Sequence, residues 1–253
     1  MESKLILLMP LAFVCEFVDS TLGMGYGTSL TPILLLMGFQ PLEVVPAVLL
    51  SEFVTGATAA FFHHSVQNVN FNRHSADTRV ASVLTAFAMI GAVVSVVVAV
   101  RLPGDVLKIW IGVIVVAMGV AMIATRNSKP SFSWAKIIGL GTVASFNKGL
   151  SGGGYGPLVM GGQILSGIGV KNAVGITSLS ESMVCLVGVI LYFALKSNGT
   201  WALAPWLMAG AVLSVPFAAH TLKRIPERRA KLAVALVIVV LGALTLAKVL
   251  LAR

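Results

Sequence analysis

Five ionisable side chains lie inside apolar stretches of this chain, and they bound the chemistry it can do. Glu16, Asp19, Glu52 and Glu181 are acidic, and Lys148 is the basic residue set deepest in such a stretch. A charge within an apolar span is costly and needs a partner or a task. Lys148 suits binding of an anion; its structural alternative is a salt bridge to Glu16 or Asp19. Glu52 and Glu181 follow serines, in Leu50-Ser51-Glu52 and Leu179-Ser180-Glu181. Burial penalises the ionised carboxyl, so Glu16, Asp19, Glu52 and Glu181 are candidates for proton coupling. Sodium ligation with Ser51 and Ser180, or plain helix-packing hydrogen bonds, are the alternatives. Tyr26, Tyr155, Asn147, Thr177 and Ser178 could donate neutral hydrogen bonds to sulfonate or carboxylate oxygens, or serve as internal polar glue. No metal or cofactor is expected: Cys15 and Cys185 read as small buried hydrophobes, and His63 and His64 as solvated groups at a helix end.

Two glycine-rich stretches must position these groups. Gly23-Met24-Gly25-Tyr26-Gly27 recurs as Gly152-Gly153-Gly154-Tyr155-Gly156, 129 positions later. The same offset pairs Phe17 with Phe146, Gly38 with Gly167, Ser51 with Ser180 and Glu52 with Glu181, and it sets Asp19 against Lys148. Each stretch is followed by a short apolar run before the next glycine. The pattern predicts two broken helices, with short helices starting at Thr28 and Pro157 and meeting near a membrane midplane. Glycine permits the positive φ and close approach that a break needs. The N-terminus of each short helix then presents free N–H groups and the positive end of the dipole, an anion site. Close packing of Gly-x-x-x-Gly faces is the bland alternative. The candidate substrate site is thus Gly25, Tyr26, Gly27 and Thr28 from one stretch, with Asn147, Lys148, Gly152, Gly153, Gly154, Tyr155, Thr177 and Ser178 around the other.

The rest of the chain is membrane-like. Of its 253 residues 57% are hydrophobic and 11% charged, against about 25% charged in a soluble domain. Mean hydropathy is +0.96. Apolar runs at 80–100, 109–125, 183–195 and 232–247 approach the roughly 20 residues that cross a bilayer. The formal charge of +9 is explained by basic cytoplasmic loops, so a nucleic-acid partner is not expected. Helical elements are predicted at 4–22, 28–37, 43–62, 78–100 and 105–125, then at 134–148, 157–166, 172–195, 203–220 and 232–250. A polar linker, 126–133, divides a first repeat (1–125) from a second (134–253). The first segment, with Glu16 and Asp19, is a poor cleavable signal peptide. Equivalent loops carry opposite charge bias, as inverted repeats require. This places 63–79, 126–136 and 221–231 in the cytoplasm and both termini outside. Inversion needs an odd number of crossings per repeat: five helices, or a re-entrant hairpin plus three. A homodimer is compatible with the sequence but not demanded by it.

The glycine motif, best seen in Gly149-Leu150-Ser151-Gly152-Gly153-Gly154-Tyr155-Gly156, precedes a short helix ending near Gly38 or Gly167 and a serine-rich third helix, once per half. This resembles the TauE/SafE family of sulfite and organosulfur anion exporters over nearly the whole chain. The first copy departs from the pattern at Met24 and Thr28. The resemblance implies a non-enzymatic transporter, in a bacterial-type inner membrane, for sulfite, thiosulfate, sulfoacetate or a related small anion. No ATP-binding motif is present, so an ion gradient or the substrate gradient would drive it. Two other functions compete. A cation transporter would account for carboxylates outnumbering Lys148. A rhomboid-like intramembrane serine protease would use Gly149-Leu150-Ser151-Gly152, with His220 as base and His64 and Asn68 as oxyanion donors, but would leave the repeat without purpose. Asn198-Gly199-Thr200 is a weak glycosylation sequon.

Overall fold

The computed structural model describes residues 6–124, 133–195, 201–222 and 227–251. These residues form ten α-helices and no strand: α1 (Leu8–Leu22), α2 (Tyr26–Leu36), α3 (Pro41–Ser65), α4 (Ala76–Ala99), α5 (Gly104–Ala124), α6 (Trp134–Ser151), α7 (Tyr155–Leu165), α8 (Val170–Leu195), α9 (Ala204–Thr221) and α10 (Glu227–Leu251). A 3₁₀ turn, Trp201–Leu203, leads into α9. Helices α3, α4 and α8, and the Trp201–Thr221 unit, are long and apolar enough to cross a membrane. Large apolar side chains such as Val14, Phe61, Ile90, Phe193, Leu213 and Phe217 face outward, on a scale that marks a lipid-facing surface rather than a water-soluble one. The protein is an all-α, multi-pass membrane protein.

The breaks are narrower than the sequence suggests. Both short helices begin at the tyrosine, two residues before Thr28 and Pro157. Only the glycines at either end of each break need left-handed backbone: Gly23 (φ 71°) and Gly25 (φ 133°), and their counterparts Gly152 (φ 72°) and Gly154 (φ 81°). The Tyr-Gly that follows already has helical conformation.

Contacts along the helices give their directions. α1 runs alongside α9, with Met9 against Gly210 and Phe13 against Phe217. α2 then turns back: Tyr26 meets Ser51 midway along α3, and Leu36 meets Lys248 near the end of α10. The second half is built alike. α6 follows α4, with Gly141 at Leu84, Gly91 at Ser145 and Ser95 at Gly149, and α7 returns so that Gly162 packs on Leu140. Among the described residues each half therefore holds a broken-helix pair, α1–α2 or α6–α7, and three further helices. The central pair α3 and α8 is antiparallel: Leu49 faces Gly188, Phe53 O accepts from Ser182 Oγ, and Gly56 lies on Ser178. α5 and α10 are antiparallel too, with Gly112 at Leu246 and Gly242 at Val116.

Two local expectations are corrected. The loop predicted at 63–79 is shorter: α3 runs to Ser65, and α4 starts at Ala76, where Ser75 Oγ accepts from Thr78 N at 3.1 Å. His63 is not solvated but fully buried, while its neighbour His64 is exposed. His63 Nε2 lies 2.9 Å from the Ser20 carbonyl, so it carries the proton, and Nδ1 accepts from Asn68 Nδ2 at 3.0 Å. Asn68 Nδ2 also reaches the Ala219 carbonyl at 3.1 Å. One imidazole thus ties α1, α3, the following loop and α9 together. His63→Ala would take a partner from the buried Ser20 carbonyl and from one N–H of the Asn68 amide, a loss of about 1–3 kcal/mol for each group left unsatisfied; a clear fall in melting temperature is expected, with little change for His64→Ala. The linker through residue 132, the sequon at 198–200 and the basic pair Lys223-Arg224 lie outside the described residues.

Candidate transport site

The two helix breaks cross each other backbone to backbone. A Cβ on Gly27 would overlap the Gly152 carbonyl, and one on Gly153 would overlap Gly27. The same holds with the halves exchanged: a Cβ on Gly156 would overlap Gly23 and Met24. Glycine is needed here because the neighbouring backbone occupies the space a side chain would fill. Thr28 Oγ1 accepts from Gly154 N at 3.2 Å, a direct link from one short helix to the other break.

The charged residues gather beside this crossing: Glu16, Glu52, Lys148 and Glu181 are buried, and Asp19 is partly so. Lys148, at the end of α6, places Nζ between Glu52 of α3 and Glu181 of α8; the Glu181 Oε1 contact is 2.6 Å. Its partners are therefore these matched glutamates, not Glu16 or Asp19 as the structural alternative had it. Asp19 is engaged elsewhere, its Oδ1 accepting from Tyr26 N at 3.0 Å. Glu52 Oε1 accepts from Gly27 N at 3.2 Å. The first two N–H groups of α2 thus end on carboxylates, a favourable placement at a helix N-terminus. In the other half Lys148 stands where Asp19 would, and an ammonium cannot accept an N–H. It turns instead to the glutamate pair, and at the α7 end Gly153 N goes to Ser151 Oγ at 3.2 Å. Glu16 accepts from Ser20 Oγ at 2.6 Å and Thr55 Oγ1 at 3.1 Å. A cavity of about 10 Å³ lies among Glu16, Asp19, Glu52, Thr55, Gly56, Ser178 and Glu181, room for about one water. A larger cavity, about 280 Å³, lies apart at the end of α2, lined in part by Gln40, Asp105, Lys108 and Lys248. There Lys248 Nζ caps the Leu35 and Leu36 carbonyls, the role of a cation at a helix C-terminus.

This chain matches the model of the sulfite exporter TauE/SafE family over residues 8–245. The chain belongs to the TauE/SafE family. It is 28% identical over 237 residues to the "Probable membrane transporter protein YtnM" of Bacillus subtilis (strain 168), an alignment covering 87% of this chain and 75% of that protein. No solved structure matches it. It is accordingly a membrane transporter.

Within this TauE/SafE site the sequence-derived residues divide. Gly25, Tyr26, Gly27, Thr28, Lys148, Gly152, Gly153 and Gly154 meet at the crossing, with Glu16, Asp19, Glu52 and Glu181 beside it. Tyr26 OH and Ser51 Oγ are 2.7 Å apart, and the counterpart Tyr155 hydroxyl is buried without a closed hydrogen bond. Asn147 Nδ2 donates to the Gly153 carbonyl at 3.0 Å, holding the break. Ser178 lines the small cavity while its hydroxyl donates to Val174 O. Ser180 donates to Ile176 O, one turn back. Thr177 faces away, accepting from Gln163 Nε2 at 2.8 Å. Ser151 Oγ bonds to Asn147 O, and the exposed His220 to Pro216 O. The serine and base of the protease alternative are thus each tied to their own helix. Ser20, Thr55 and Cys185 also touch the acidic groups, with Cys185 Sγ 3.9 Å from Glu52 Oε2. Helical spacing could have found Ser20, four residues after Glu16; Thr55 reaches Glu16 and Cys185 reaches Glu52 only through tertiary packing.

Proposed function

We propose that this transporter exports a small sulfur-containing anion, such as sulfite, thiosulfate or an organosulfonate. It does so by alternating access between two inverted halves, 1–125 and 134–253, in a bacterial inner membrane. The observation that carries this reading is Lys148, a buried ammonium at the crossing of two broken helices. Discontinuous helices from opposed repeats are a recurrent way to build a substrate site in secondary transporters. The antiparallel runs of α3 with α8 and α5 with α10 support the inversion. The predicted orientation puts 63–79, 126–136 and 221–231 in the cytoplasm.

Thermal shift of the purified protein tests the reading, with sulfite, thiosulfate, sulfoacetate, taurine and sulfate beside divalent cations. A bound ligand stabilises the native state by mass action. Stabilisation by a sulfur anion supports it. A second reading is favoured by one observation, the excess of carboxylates over lysine: Glu16, Glu52 and Glu181, all buried, and the partly buried Asp19 line a cavity of about 10 Å³. A cation carrier would be stabilised by cations alone. In proteoliposomes it would also move charge of the opposite sign.

A further inference from the structure

Glu52 sits as a substrate oxyanion would. One carboxylate oxygen accepts from Gly27 N in the first turn of the eleven-residue α2, and the other pairs with Lys148 Nζ. A helix N-terminal N–H together with an ammonium is the donor set that carboxylates and sulfur oxyanions share. Both donors are buried, and the space beside them holds about one water. An incoming anion therefore cannot simply add to this site. It must take the place of a carboxylate.

We infer that Glu52 is the tethered competitor of the transported anion, and that each anion is carried together with one proton taken up by Glu52. This rests on the anion-transport reading above. When the anion's oxygens take the hydrogen bonds of Gly27 N–H and Lys148 Nζ, Glu52 loses both of its strong donors. A bare carboxylate in this interior is costly. The groups facing Glu52 add to that cost: Glu16 and Asp19 on α1 and Glu181 on α8 oppose a free negative charge, while the Tyr26 hydroxyl on α2 and the Cys185 thiol on α8 supply no countercharge. Lys148 on α6 is the cation that the anion removes from it. The carboxylate accordingly takes a proton from solvent hydronium: one O–H bond forms on Glu52, one O–H bond of the hydronium breaks, and water is left. Lys148, Glu52 and Glu181 together carry one net negative charge before the exchange. They and a bound monoanion carry one after it. A monoanion with its proton is thus carried without net charge, and a dianion moves one negative charge. Export then draws on the anion's own outward gradient, because an inward proton gradient opposes outward movement of the pair.

Glu181 is less suited to the role. Among the described residues its ionic contact is Lys148 alone, so its departure would leave Gly27 N occupied by Glu52. The assignment separates the two glutamates experimentally.

The test uses the full-length purified protein and thiosulfate, which stays fully ionised near neutral pH. Wild-type affinity is expected to weaken by up to about tenfold per pH unit on raising the pH through the range where Glu52 ionises, the slope for one linked proton. Glu52→Gln should bind thiosulfate more tightly and lose this slope, whereas Glu181→Gln should keep it. Binding to the wild type in weakly buffered solution should take up one proton per anion, seen with a pH-sensitive dye, a readout that does not depend on any variant folding. A wild type that binds thiosulfate without proton uptake overturns the inference, as does an unchanged slope in a folded Glu52→Gln protein. Absence of binding by every anion in the panel overturns the anion reading itself, and the inference with it.

Discussion

Lys148→Ala is expected to lower the stability of the folded protein by about 3–5 kcal/mol and to abolish anion binding. The lysine is fully buried, and its ammonium pairs with both Glu52 and Glu181. Removing one partner of a buried ion pair leaves an uncompensated charge, and it is this residue, more than the lost contact, that sets the magnitude. Here two carboxylates are left facing each other near Glu16 and Asp19. Glu52→Gln and Glu181→Gln added to Lys148→Ala should therefore restore most of the stability, since they remove the charges left unpaired. They should not restore anion binding, because no ammonium remains. Thermal melting in detergent and thiosulfate binding on the single and triple variants check the two effects separately. Anion binding recovered by the triple variant would show that Lys148 only neutralises the glutamates.

Gly27→Ala and Gly153→Ala should each be damaging for a different reason, with costs at or above the upper end of the roughly 1–3 kcal/mol typical of overpacking. Neither glycine has positive φ, so backbone strain is not the cause. The new methyl group would overlap backbone atoms of the opposite break: the Gly152 carbonyl for Gly27, and Gly27 itself for Gly153. A side chain in the way could rotate, but a main chain held by Asn147 and Thr28 cannot move without prising the crossing open. Gly161→Ala is the control. It lies in α7 with open space around its Cβ direction, and helix propensity makes it neutral or stabilising by up to about 1 kcal/mol. A uniform response across the three variants would mean that the breaks are not in contact in the protein as it folds.

Much of this was legible in the chain. Apolar runs too long for a soluble core gave the membrane class, because hydropathy responds to length and composition alone. The glycine breaks were visible because few residues other than glycine allow both positive φ and such close backbone approach, and because the stretch occurs twice. The candidate charges stood out for the same reason that makes them costly: an ionisable residue in an apolar run is rare unless it is used. Helix ends were misplaced by a few residues, as with Tyr26 and Tyr155, since a glycine-rich motif does not mark where helical conformation resumes.

Partnership was beyond the sequence. Lys148 could have met Glu16 or Asp19 by local logic, and the helix directions send it to Glu52 and Glu181 instead, from helices 96 positions before it and 33 after it. His63 looked like a solvated group beside His64, yet a rotation of about 100° per residue around α3 puts one against Ser20 and Asn68 and leaves the other exposed. The 129-residue offset named the pairs of equivalent residues in the sequence. Only the tertiary structure laid the two breaks across each other and put a carboxylate on Gly27 N. Those contacts depend on the antiparallel packing of α3 and α8: loop charge implied that the halves are inverted, but not which backbone and side-chain atoms the inversion brings together.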